Sequence, residues 1–353
     1  MSYTAPDFSK YTHCRACTFV PAPQDRILPD GFLSTTNYPT YVKIEEGWFL
    51  AKKPRMDGHI VWDPQLQQLE VKEFRAIRKH DLVAVAEKED GTEGVLVWDC
   101  GWMQEQEQDG FSFMSSDISR EKPVDYEAIF NAFRKHKDMG HIVWVIGPAL
   151  VHARGRVAME WMIEQGYCDS LLTGNAVAVH DIESALFGST LGMKSDGTGA
   201  AGGHSCHMRA INEIKKSGSV SEAVFSNNIE SGIMSALVRN KVPYVLAGSI
   251  RDDGPLPDTI TDAVLAQAAM REYTSKATMV VMVATALHSI AVGNMLPTYY
   301  LNNDDVPEEL VTICVDQTEF LVSKLKDRGT HQAFGVVTNA QDFMRLLQLE
   351  LSK

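Results

Sequence analysis

From Val242 to Asp258 the chain reads VPYVLAGSIRDDGPLPD, placing three charges, Arg251, Asp252 and Asp253, side by side. A short apolar run, Tyr244–Ala247, stops at Gly248 just before them, and Gly254, Pro255 and Pro257 follow. The pattern predicts a buried strand that delivers a rigid charged loop to its carboxyl end, where ligands bind in open α/β sheets. A guanidinium is the natural fork for a carboxylate, which makes Arg251 a candidate substrate anchor. Asp252 has the chemistry to accept a proton or hold an amine. Two plainer readings stand beside these: a solvated acidic turn, and an ion pair of Arg251 with Asp252 or Asp253 that braces the loop.

The same position in the fold selects other residues. HIVWVI runs into Gly147-Pro148-Ala149-Leu150-Val151-His152, and SLLT into Gly174-Asn175-Ala176, with His180, Asp181 and Glu183 at the start of the helix that follows. TMVVMVA leads to Thr285, Ala286, Leu287 and His288; VTICV leads to Asp316 and Gln317; GVV leads to Thr338 and Asn339. Asp253 and Asp316 are suited to accept hydrogen bonds from ribose hydroxyls, and nearby helix amino termini favour phosphate. That is the physical profile of a dinucleotide site. The usual GxGxxG after a strand is absent, as is GxxxxGK[ST]. Gly197–Gly203 (GTGAAGG) reads equally as a mobile loop or a phosphate cradle, and His288 as a ligand contact or a packed histidine.

Other chemistries find less support. His204, Cys206 and His207 do not share a helix face, which argues against a metal site. Cys14-x-x-Cys17 has no second pair to complete a zinc site and sits in a polar terminal segment, so it reads as two incidental thiols. No GxSxG elbow is present for a serine hydrolase. The polar run Ser34–Thr40 is open to two readings, a ligand contact or a loop satisfying its own backbone.

Two kinds of element must position these residues. Up to residue 124, short β runs (Tyr41–Ile44, Trp48–Leu50, His59–Trp62, Leu69–Glu73, Leu82–Ala86, Gly94–Trp98) alternate with turns such as Asp57-Gly58 and Asp90-Gly91, predicting a small antiparallel β-domain. Residues 125–353 alternate unbroken apolar strands with helices: Tyr126–His136, Arg156–Gln165 (Val157, Trp161 and Met162 on one face), His207–Lys216, Ile229–Asn240, Ile260–Arg271, Phe320–Arg328 and Ala340–Leu349. This predicts a doubly wound parallel α/β sheet covered on both faces.

Composition sets the outer bounds. The chain has 353 residues, 44% hydrophobic and 22% charged, with a formal net charge of −13 and no basic run, which excludes nucleic acid as the expected partner. No apolar segment reaches membrane-spanning length; Ala277–Ala286 reads as core. The amino terminus lacks secretory-signal order, and six scattered cysteines point to a reducing, cytoplasmic home.

The ordered set STTNYPTYV, GPALVH, LLTGNAVAVHDIE, HMRAINEI, VPYVLAGSIRDDGPLPD, ATALHSIAVGNMLP and KLKDRGTHQAFGVVTN resembles the LOR/SDH-type family from about Pro21 onward. That family includes archaeal ornithine cyclodeaminases and the carboxyl-terminal domain of arginine dihydrolase/ornithine cyclodeaminase enzymes. The strand-end pattern also looks distantly like deoxyhypusine synthase, a Rossmann-like fold without the glycine fingerprint. The resemblance implies a tightly held NAD contacted at Asn175, Ala176, Asp253, Thr285, Leu287, His288 and Asp316, and conversion of L-ornithine to L-proline and ammonia with no net redox change. It also implies a homo-oligomer. Archaeal members carry an additional amino-terminal segment where this chain begins with a polar, CxxC-bearing stretch, so the alternatives are a different amino acid or polyamine substrate, or NAD and amino-acid binding without turnover.

Overall fold

The computed structural model describes residues 3–45, 47–102, 124–152, 154–194, 196–200, 202–252, 254–318 and 333–353. The chain divides into two compact units, one formed by residues up to Val124 with Asn294–Leu310, the other by Asp125–Gly293 with the strands and helix that follow Leu310. The hairpin Tyr299–Leu301/Pro307–Glu309 therefore belongs with the amino-terminal unit, not with the 125–353 stretch in which the sequence pattern places it. Thr298 ties it there, donating through both its amide and its hydroxyl to the Asn37 carbonyl.

In the first unit, antiparallel strands form two small sheets. One runs Thr18–Pro21, Leu82–Val85, His59–Asp63, Gln68–Lys72; the other runs Gly47–Leu50, Thr40–Ile44, Val95–Val97. Val42, Ile60, Leu69, Val71, Ala84 and Val95 meet in one apolar cluster between them. The Ser34–Thr40 run serves its own backbone: the Thr35 hydroxyl donates to the Arg55 carbonyl and accepts from the Gly58 amide, while Thr40 donates to Tyr38. Cys14 and Cys17 are buried and unbridged, and burial pushes the Cys17 thiol up to about 11.

Among the described residues, the second unit holds a seven-stranded sheet: β1 (Ile142–Ile146), β2 (Ser170–Gly174), β3 (Tyr244–Ala247), β4 (Thr259–Ile260), β5 (Met279–Val283), β6 (Val311–Asp316) and β7 (Ala333–Val337). Every pairing is parallel, and the order is β4-β3-β2-β1-β5-β6-β7. All residues of β1, β2 and β5 are buried, as unalternating runs such as IVWVI and MVVMV require when helices cover both faces. The helices are α1 (Tyr126–Met139), α2 (Pro148–His152), α3 (Arg156–Glu164), α4 (Asn175–Phe187), α5 (Cys206–Ser217), α6 (Val220–Phe225), α7 (Ile233–Arg239), α8 (Ala263–Thr274), α9 (Ala286–Gly293) and α10 (Ala340–Leu351). None is long and apolar enough to cross a membrane.

Three local expectations change. Val157 is exposed while Met162 is buried as expected, and α3 buries Ala158, Met159 and Ile163 with it, so its apolar stripe is rotated from the Val157–Trp161–Met162 face. Ile260 belongs to edge strand β4; helix α8 starts later, where the Asp262 carboxylate caps the amides of Val264 and Leu265. The predicted helix Phe320–Arg328 lies outside the described residues.

Candidate functional site

Strand order reverses between β1 and β5, so the carboxyl ends of these strands and their neighbours frame the crevice where doubly wound sheets bind ligands. The backbone there is unusually close. A Cβ on Gly147, just after β1, would lie 1.9 Å from the Ala284 carbonyl oxygen, and Ala284 itself adopts a left-handed φ of 57°. Strained, non-glycine backbone at a strand end is a mark of a functional site. At the last residue of β2, a Cβ on Gly174 would lie 2.8 Å from Cε1 of His288. His288 thus packs across the switch point onto β2, with its Nδ1 3.4 Å from the Thr285 hydroxyl, and burial holds its imidazole below the usual range.

On the other side of β2, Asn175 opens α4 and fastens the charged loop after β3. Its Oδ1 accepts from the Leu256 amide (3.1 Å) and the Thr259 hydroxyl (3.0 Å), and its Nδ2 donates to Asp252 Oδ1 (3.2 Å). The second oxygen of Asp252 accepts from the Ser249 amide at 2.7 Å. Asp252 is therefore committed to the loop itself. Arg251 is exposed, and among the described residues its guanidinium has no carboxylate partner, so the bracing ion pair with Asp252 does not form. Ile250 stands fully exposed at the loop tip. Asp253 lies outside the described residues.

Loop and helix enclose a cavity of about 250 Å³, lined by Asn175, Ala176, Val179, His180, Leu191, His207, Met208, Ile211, Ser249, Arg251, Asp252 and Gly254. Helix α4 begins at its floor with Gly174 as N-cap and no side chain over its first amides, leaving donors in the first turn for an anion or carboxylate. His180 is the group that the strand-end logic noted without assigning. Its Nδ1 is 3.1 Å from Glu183 Oε2, and the buried Glu183 also accepts from the Ser189 hydroxyl and the Leu191 and Gly192 amides. Burial pushes the Glu183 carboxyl up, but the hydrogen bonds from His180, Gly192, Ser189 and Leu191 outweigh it and leave the group below its ordinary range. The residue between them, Asp181, serves the scaffold: it pairs with Arg156 Nε at 2.6 Å and accepts from the Ile233 and Met234 amides at the start of α7.

The remaining candidates sit apart from this cavity. Leu287 is on the first turn of α9, beside Thr285 and His288. Asp316 ends β6, with Oδ1 accepting from the Thr318 amide and hydroxyl (both 2.9 Å). Four inter-strand steps separate β3 from β6, about 19 Å at the usual spacing. The structure thus brings Asn175, Arg251 and Asp252 together, places Thr285 and His288 at the switch point, and leaves Asp316 at the far end of the crevice. Among the described residues no histidine, cysteine and carboxylate cluster suits a metal.

Comparison with known proteins extends the picture. Residues 127–347 match the family described as arginine dihydrolase ArgZ-like, C-terminal, Rossmann fold, and residues 39–127 match its first region. An ornithine cyclodeaminase from Methanocaldococcus jannaschii is 44% identical over 347 residues, covering 94% of this chain and 77% of that protein. The crystal structure of a LOR/SDH protein from Methanococcus maripaludis S2 superposes with a TM-score of 0.84 at 40% identity, covering 96% of this chain and 98% of that one. A ternary complex of AgrE with ornithine and NAD+ superposes with a TM-score of 0.59 at 34% identity, covering 96% of this chain and 46% of that one. The resemblance read from the motifs is borne out: the chain belongs to the ArgZ-like C-terminal family, together with the archaeal ornithine cyclodeaminases.

Proposed function

We propose that the protein is an NAD-dependent ornithine cyclodeaminase that converts L-ornithine to L-proline and ammonia. The observation that carries the reading is the cavity of about 250 Å³ after β2 and β3, lined by Asp252, His180 and Arg251, whose guanidinium has no carboxylate partner among the described residues. The relatives named ornithine cyclodeaminase, and the AgrE complex with ornithine and NAD+, support that choice of ligands.

The crevice fits a dinucleotide. The first turn of α4, at Asn175 and Ala176, would take the phosphates; Thr285, Leu287 and His288 would flank the middle; Asp316 keeps one carboxylate oxygen uncommitted among the described residues and would hold a ribose. Asp253 joins the set on the strength of its sequence position. NAD held by these residues would supply a reversible hydride acceptor for the substrate Cα, so no external oxidant is needed. Arg251 would hold the substrate carboxylate in a bidentate fork, and Asp252, already fixed by Asn175 and Ser249, would present its remaining lone pairs to an amine. We further read the enzyme as a cytoplasmic homo-oligomer; a net charge of −13 suits neither nucleic-acid nor anionic-membrane binding.

Purified protein incubated with NAD and L-ornithine should form L-proline and ammonia in equal amounts, with reduced cofactor appearing only transiently in the near ultraviolet. Absence of both products would overturn the assignment.

A further inference from the structure

We propose that His180, oriented by Glu183, is the proton carrier of this cavity: its Nε2 takes a proton from the attacking amine of the substrate and returns it to the departing one. The proposal rests on the ornithine reading and adds a catalytic residue to it.

Three observations converge on this imidazole. First, the ring is held rigidly. Glu183 accepts from four donors, at 3.1 Å from His180, Ser189 and Leu191 and 3.0 Å from Gly192, so the carboxylate cannot swing away. An ionised carboxylate only accepts, so the hydrogen on His180 resides on Nδ1, and Nε2 presents a lone pair. Second, no described residue bonds Nε2, while His180 forms part of the cavity wall one helical turn beyond Ala176. Third, the other charged and titratable groups facing it are otherwise placed. From the loop, Asp252 already accepts on both oxygens, and Arg251 cannot give up a proton at neutral pH. From α5, His207 lines the cavity without a carboxylate to fix its ring among the described residues. From α2, His152 stacks edge-on at 4.7 Å; burial, then the neighbouring His180, hold it below the usual range, so it stays neutral.

The chemistry needs one such group acting twice. When the δ-nitrogen attacks the Cα of the substrate iminium, an N–C bond forms, the C=N π pair moves onto the original nitrogen, and the new ring nitrogen sheds a proton to Nε2. The original nitrogen takes that proton, its bond to Cα breaks with the electron pair leaving on nitrogen, and it departs as ammonia while the ring-nitrogen lone pair closes the cyclic C=N. Protons balance across the two events, and neither changes the oxidation state of the substrate. A base placed within reach of both nitrogens is what general acid–base catalysis asks for, and its usual contribution is about 10²–10⁴-fold.

His180→Gln keeps the bulk but cannot carry the proton. The expected result is an unchanged melting curve and NAD affinity, proline formation lower by about 10²–10⁴-fold, and loss of the acid limb of kcat/KM against pH. Ornithine binding measured calorimetrically in buffers of different ionisation enthalpy should show a different proton count in H180Q than in the wild type. Turnover within about threefold of wild type with the same acid limb, or an identical proton count, would overturn the role. Should H180Q lose its fold, His180→Ala with added imidazole decides: restored turnover supports the role, and a folded variant without restoration refutes it. A wild-type protein that makes no proline sinks the ornithine reading instead, and the binding-linked proton count then still tests whether His180 exchanges a proton with an amine.

Discussion

Arg251 faces the cavity mouth with no carboxylate neutralising it among the described residues, whereas the adjacent Asp252 is tied down by Asn175 and the Ser249 amide. A loop that fixes Asp252 and leaves the Arg251 guanidinium without a carboxylate among the described residues is suited to receive an anion. Arg251→Lys keeps the charge and loses the planar fork, removing about one charge-assisted hydrogen bond worth 1.5–3 kcal/mol. KM for ornithine should then rise by about 10–100-fold in steady-state assays, with NAD affinity by calorimetry unchanged. An unchanged KM would remove Arg251 from the substrate site. The sequence shows three charges in a row but not their division of labour, because that is set by Asn175, which is 77 residues away from Asp252 in the chain. His180 was harder to single out. His180, Asp181 and Glu183 look alike as polar residues on one helix, and only the packing of α7 against Asp181 and of the Ser189–Gly192 turn against Glu183 leaves His180 as the one turned to the cavity.

At the scale of elements, the crevice depends on how closely β1, β2 and β5 approach at their carboxyl ends. Gly147 and Gly174 both meet a neighbour there, but differently. A methyl on Gly147 would strike the Ala284 backbone carbonyl at 1.9 Å, which yields only if β1 and β5 separate; one on Gly174 would strike the His288 ring at 2.8 Å, which a rotamer change relieves. Gly147→Ala should therefore lower stability by about 1–3 kcal/mol in urea titrations and abolish NAD binding. Gly174→Ala should cost less stability while shifting His288 and weakening NAD binding. Equal melting of the two variants would show that the switch point tolerates separation. The strands themselves were legible because runs such as HIVWVI and TMVVMVA are too short and too uniformly apolar for amphipathic helices and end at glycine or alanine. Boundaries failed where caps, not periodicity, decide: Asp262 moved the start of α8 past Ile260. The Tyr299–Glu309 hairpin groups with the amino-terminal unit, where its fastening to Asn37 is a tertiary contact with no local signature.

Across the whole molecule, several histidines are buried in neutral form. Burial holds His59, His141, His152 and His288 below the usual imidazole range, and no carboxylate reverses the effect at any of them. When the folded pKa is depressed, the unfolded chain binds the proton first as pH falls. Stability from these groups is complete above the unfolded value, near 6.5, and is lost as pH drops from there through the folded values. Glu183 adds a second loss at lower pH, since its carboxyl is held below the ordinary range and must be protonated. The net charge of −13 works the other way, because acidification relieves self-repulsion, but exposed charges are screened within about 10 Å at 0.1 M salt. Buried imidazoles are screened far less, so they should prevail. Unfolding free energy measured in urea should fall between about pH 7 and pH 5, with the more solvated rings contributing less. The fall should persist in about 0.5 M salt, where surface repulsion is already suppressed. Stability that instead rises on acidification, or a fall that salt abolishes, would mean that surface charge and not buried imidazole governs the acid response.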